Sequence, residues 1–221
     1  MCLAFGRINI IYYPSVKGKM NSKLIIFIAA TVILIQLNVL ATFFEHVIID
    51  LIVIAALIGI LLLFRERLAD FGLSSGNIKL GLKYSVILFI LALPLMLYGS
   101  SLESFKNYYP IWDPANSGIK NFIIFELAVG VMMFYTEFLY RGFILFGLSK
   151  NKTPGKYANL IQSFIYMLRH IGKPGLEVPY SFFAGYVFGL VDLRCKSILP
   201  SFLMHFTASV VFDLMIIFLW T

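Results

Sequence analysis

Seven apolar stretches follow one another between Leu24 and Trp220, at 24–43, 47–64, 84–99, 119–148, 157–171, 179–194 and 197–219. A helix of about 20 apolar residues crosses the hydrocarbon of a bilayer, and a backbone in lipid must satisfy its own hydrogen bonds. The expected fold class is therefore all-α, a polytopic membrane bundle of about seven transmembrane helices, in which the fifth and sixth stretches are short. Hydrophobic residues make up 60% of the 221, well above the usage of soluble domains. The longest stretch poor in apolar residues, Ser100 to Ser117, is loop-sized, so residues 24–221 read as a single transmembrane domain behind an N-terminal arm of residues 1–23.

The net charge of +7 sits in short connectors. Arg7, Lys17, Lys19 and Lys23 precede the first stretch, Arg65, Arg67, Lys79 and Lys83 follow the second, and Lys150, Lys152 and Lys156 follow the fourth. Basic residues in alternate connectors mark the cytoplasmic side and argue against nucleic-acid binding, which predicts an N-terminus inside and a C-terminus outside. With no cleavable leader in view, this pattern suits a prokaryotic plasma membrane, and translation can begin at Met1 or at Met20. Cys2 and Cys195 form neither a disulfide framework nor a metal spacing. The connector from Arg65 to Lys83, with Leu68, Phe71, Leu73 and Leu80 among charges, is expected to lie along the membrane interface, and Tyr108, Tyr109 and Trp112 to form an aromatic belt.

Three stretches carry polar residues at helical spacing: Glu137 and Arg141 in the fourth, Gln162, Tyr166 and His170 in the fifth, and Ser201, His205, Ser209 and Asp213 in the seventh. Such stripes are costly against lipid, so they should face one another. At about 1.5 Å per residue, Glu137, His170, His205 and Ser209 fall at similar depths, roughly 12 to 20 Å from the cytoplasmic ends of their stretches. In the sixth stretch Ser181, Gly185 and Gly189 make a small-residue stripe that lets backbones approach. Glu177 suits the N-terminus of that helix. A carboxylate in a cavity of low dielectric is a candidate base toward water, and histidines can hold a developing oxyanion or carry the proton. Arg141 offsets the cost of burying Glu137 and orients it.

On these residues the chain resembles the CPBP family of intramembrane proteases, which includes CAAX prenyl endopeptidases and bacteriocin-processing and self-immunity proteins. The motifs are Thr136-Glu137-Phe138-Leu139-Tyr140-Arg141-Gly142, where the family has two glutamates, three variable residues and an arginine; Tyr166 to His170, an aromatic four before a histidine; and His205 to Ser209, a histidine four before a polar residue. The resemblance implies an endopeptidase acting on a membrane-associated or lipidated peptide, with Glu137 as base, Arg141 as its orienter, and His170, His205 and Ser209 as oxyanion and proton-handling groups. No cofactor is required. Family members are also described as metalloproteases, and Glu137, His170 and His205 are the alternative zinc set. Thr136 stands where the family places its first glutamate, which leaves two readings: hydrolysis run by Glu137, or a non-catalytic immunity or scaffold protein that binds a peptide in the same cavity. Asp213, one turn beyond Ser209, is a further acidic candidate. No partner beyond substrate and bilayer is indicated.

Overall fold

The computed structural model describes residues 20–220; the N-terminal arm up to residue 19, with Cys2, lies outside the described residues. Among these, seven long helices form: α1 (Ser22–Asn38), α2 (Phe43–Leu63), α3 (Ile78–Ser101), α4 (Ile119–Ser149), α5 (Lys152–Leu168), α6 (Glu177–Cys195) and α7 (Leu199–Leu219). Local chemistry explains several starts. The Asn21 side chain accepts from the Leu24 N–H at 3.0 Å and the Asn77 side chain from Leu80 at 3.1 Å, while Thr42 and Glu45 form a reciprocal capping box at α2. Pro200 occupies the first turn of α7, where its missing N–H costs nothing.

By length and apolarity α2, α3, α4 and α7 are each able to cross a membrane, and α1 is apolar but shorter. The helical membrane bundle is therefore present, with four of the seven expected crossings met on these two criteria. Side chains such as Ile52, Leu91, Leu95 and Leu127 point away from the bundle, a surface suited to hydrocarbon rather than water. Within the bundle α5 packs along α6, α3 along α7 and α2 along α4.

α4 is the central rod. Over Phe138–Phe146 its winding widens to a π-helix, and all nine residues of that stretch are buried. Such widening recurs at functional positions in helices. The connector between α2 and α3 does not simply lie on the membrane surface as expected. Phe71 is fully buried and stacks on Phe143 with ring centres 6.0 Å apart, while Lys150 Nζ sits 4.0 Å from the Phe71 ring centre. Gly142 provides the opening: a Cβ there would stand 2.9 Å from the Phe71 carbonyl oxygen. The small-residue stripe of α6 is closely packed, since a Cβ at Gly189 would meet Asn159 Oδ1 at 2.0 Å and Gln162 Nε2 at 2.9 Å.

At the end of the bundle opposite the 102–118 loop, the connector docks on the α6–α7 turn. The Asn77 N–H donates to the Cys195 carbonyl at 2.8 Å and the Ser74 hydroxyl to the Lys196 carbonyl at 2.8 Å. Gly76 has φ +50°, and a Cβ there would lie 2.1 Å from the Cys195 carbonyl oxygen. Gly76→Ala should lower stability by about 1–3 kcal/mol through this clash. Labelling of the buried thiol of Cys195 during heating, in a Cys2→Ser background, would report it; an unchanged midpoint would show that the turn tolerates a side chain.

Candidate active site

Glu137 closes the regular part of α4 and Arg141 lies inside the widened stretch; both are fully buried. Glu137 Oε2 is 3.2 Å from Arg141 Nε, an ion pair by distance. The contact lacks hydrogen-bond alignment, and Arg141 Nη1 and Nη2 have no hydrogen-bond partner. The guanidinium is held by aromatic faces instead, its central carbon 4.1 Å from the centre of the Tyr166 ring and 5.7 Å from that of Phe188. A planar, weakly hydrated cation is the one suited to such a slot. Gly185 leaves room for it, because a Cβ there would meet Tyr166 Cδ1 at 3.0 Å and Arg141 Nη2 at 3.4 Å.

The other carboxylate oxygen, Glu137 Oε1, is 2.7 Å from His205 Nδ1 on α7. A carboxylate oxygen only accepts, so Nδ1 donates and Nε2 presents its lone pair. That nitrogen is 3.5 Å from the Tyr166 hydroxyl. The side chain of His205 is 21% exposed and that of Glu137 not at all, so the imidazole is the accessible member of the pair.

His170 is placed differently from expectation. α5 ends at Leu168, and His170 lies in the turn beyond it. Its Nδ1 donates to the Tyr166 carbonyl at 2.9 Å, and its Nε2 faces Glu177 Oε1 at 3.5 Å. Glu177 in turn accepts from Lys173 Nζ at 2.8 Å and from the Tyr109 hydroxyl at 2.8 Å. Burial first, and then the charge of Glu177, push the Tyr109 hydroxyl well above its ordinary range, so it remains a donor. Tyr109 therefore caps this cluster rather than simply joining a belt, whereas Trp112 packs on Phe43 and Phe44. His170 meets the Glu137–His205 pair only through Tyr166, whose ring centre is 4.5 Å from that of His170 and 6.3 Å from that of His205.

The trio Glu137, His170 and His205 is consequently not gathered as a zinc-ligand set, and among the described residues no three His, Cys, Asp or Glu side chains converge as a metal site would require. Ser209 is half-buried one turn beyond His205. Asp213 is buried with Oδ1 unpartnered, and no hydrogen bond or ion pair joins it to Glu137 or His205. Thr136 turns its hydroxyl back to the Met132 carbonyl at 2.8 Å.

Among the described residues four further carboxylates are buried, Asp50, Glu66, Asp192 and Glu126, and the last two lie on α6 and α4 within apolar stretches. Asp192 of α6 is fully buried and accepts from the Ser201 hydroxyl at 2.6 Å and the Ser201 N–H at 3.2 Å, fixing the turn of α7 that precedes His205. Glu126 of α4 is buried with both oxygens unpartnered. The rule that singles out Glu137, an acidic residue in an apolar stretch, applies equally to both.

Residues 118–211 match the family described as type II CAAX prenyl endopeptidase Rce1-like. No curated protein and no solved structure matches the chain. The matched segment holds the ion pair on α4, the Tyr166–His170 turn and the His205–Ser209 turn, and over these residues, less than half of the chain, the protein is similar to that endopeptidase family.

Proposed function

We propose that the protein is an intramembrane endopeptidase that hydrolyses a peptide bond of a membrane-associated or lipidated substrate. The observation that carries this reading is the 2.7 Å contact between Glu137 and His205, made by α4 and α7 inside an apolar bundle. Glu137 is the source of basicity. Sealed from the surroundings, it acts through His205: the carboxylate holds Nδ1–H, fixes the tautomer and stabilises the imidazolium formed when Nε2 takes a proton from water. Arg141 offsets the cost of burying Glu137 and holds its orientation. Ser209 lies on the same face of α7 as His205, within one turn of an intermediate held there. His170 supports the site through Tyr166. The alternating basic connectors favour an N-terminus inside, with α1, α5 and α6 completing seven crossings.

The family's description as a CAAX prenyl endopeptidase gives the substrate to try first. Purified protein in liposomes should release the C-terminal tripeptide from a prenylated CAAX peptide, detected by mass spectrometry, and an unlipidated peptide of the same sequence separates lipid recognition from peptide recognition. Cleavage of neither by active-site-intact protein, alongside tight binding of one, would favour the second reading, a peptide-binding pseudoenzyme.

Thr136 is the observation behind that second reading, because its hydroxyl is turned to its own helix and gives the site no carboxylate. Thr136→Glu discriminates between the two. An endopeptidase that works through Glu137 and His205 should change by less than about tenfold in this variant, a shift of roughly 1.4 kcal/mol in the barrier. Cleavage that appears only in Thr136→Glu would make the natural chain a pseudoenzyme.

A further inference from the structure

We infer that the Tyr166 hydroxyl is a catalytic group, the donor that holds the oxyanion of the tetrahedral intermediate. The inference rests on the endopeptidase reading and deepens it. An oxyanion donor must present a free N–H or O–H beside the base. His170, the residue expected in that role, does not: Nδ1–H is committed to the Tyr166 carbonyl at 2.9 Å and Nε2 faces the Glu177 carboxylate at 3.5 Å. Arg141 is fully buried behind the faces of Tyr166 and Phe188. The Tyr166 hydroxyl is the polar group that remains next to His205 Nε2, 3.5 Å away.

Its aim is set by the ring. Tyr166 is 3% exposed, with Arg141 over one face at 4.1 Å, the His170 ring edge-on at 4.5 Å and the Tyr140 ring edge-on at 5.3 Å. A Cβ at Gly185 would stand 3.0 Å from its Cδ1. A side chain confined on so many sides loses little further freedom when the intermediate forms, which is what makes a prepositioned dipole effective.

The step balances without an added reactant. In the resting site the Tyr166 O–H points at the lone pair of His205 Nε2. When a peptide carbonyl and a water enter, the hydroxyl turns to the carbonyl oxygen and Nε2 is freed for the water. The water oxygen bonds to the carbonyl carbon, its proton passes to Nε2, and the C=O pair becomes the oxyanion that accepts from Tyr166 O–H. On collapse the C–N bond breaks and the Nε2 proton goes to the leaving amine. The phenol keeps its proton throughout.

Tyr166→Phe removes one oxygen and preserves the ring on which Arg141 rests. Expected is a fall in kcat of roughly 10² to 10³-fold, as for loss of an oxyanion donor elsewhere, with KM changed by less than about twofold. Unchanged kcat, or an effect on KM alone, would overturn the inference. Glu137→Gln is assayed in parallel: if it abolishes cleavage while Tyr166→Phe does not, the hydroxyl assignment is wrong and the endopeptidase reading stands; if neither changes cleavage, that reading fails. A second measurement does not depend on turnover. With nitrogen-15 histidine in a chain holding only three histidines, Tyr166→Phe should move the His205 Nε2 resonance and leave His46 in place, and an unmoved His205 signal refutes the contact.

Discussion

Replacing Glu137 with glutamine is expected to cut peptide cleavage by roughly 10⁴-fold, the scale of loss when the carboxylate that orients a catalytic imidazole becomes an amide. Glutamine keeps the shape and an oxygen able to accept from His205 Nδ1 at the present 2.7 Å. It lacks the negative charge that stabilises His205 once Nε2 is protonated, and its flipped amide would favour the wrong tautomer. Arg141 retains its two aromatic faces, so folding should suffer less than turnover. Single-turnover cleavage in liposomes, normalised to folded protein by protection of the Cys195 thiol, gives the number. Wild-type rates from Glu137→Gln would remove Glu137 from the chemistry.

Arg141→Met should do the opposite, acting first on folding. It deletes the cation 3.2 Å from Glu137 Oε2 and leaves a fully buried carboxylate without its nearest counter-charge, a defect worth about 3–5 kcal/mol for a broken buried pair. The double variant Glu137→Gln/Arg141→Met removes both charges and fills the slot between Tyr166 and Phe188 with a thioether of similar length. It should recover stability to within about 1 kcal/mol of the parent, because neutral replacement of a buried pair is often tolerated, while cleavage stays absent. The non-additivity measured across this cycle is the coupling between the two side chains. Additive losses would mean that the pair does not interact energetically.

The bundle was legible because lipid leaves a backbone so few options. The fourth apolar stretch, 119–148, becomes α4 at Ile119–Ser149, and the seventh, 197–219, becomes α7 at Leu199–Leu219. Glu137 and Arg141 were readable as a pair because residues four apart share a helix face, and the glycines at 185 and 189 because close approach demands them. The direction of His170 was not readable. Extending α5 through residue 171 placed its ring in the bundle, whereas the helix stops at Leu168 and the next turn carries the imidazole to Glu177. The insertion of Phe71 is hidden for a different reason: its burial depends on Gly142, 71 residues away, leaving a gap. Asp192 is masked in the sequence by the small-residue stripe of its own helix, which reads as packing, although its carboxylate anchors the start of α7.

The wide winding of α4 between Phe138 and Phe146 separates two lengths of one rod. Glu137 sits on one side of it, and Ser149, buried with its hydroxyl donating to the Leu145 carbonyl at 2.7 Å, on the other. If this stretch rewound to ordinary pitch at unchanged length, its two ends would turn relative to each other, because a residue of a wider winding advances less than the roughly 100° of an α-helix. The carboxylate would swing away from the imidazole while the apolar content hardly changed. Substitutions here that favour ordinary pitch without changing the length should therefore yield proteins that insert and assemble but are inert.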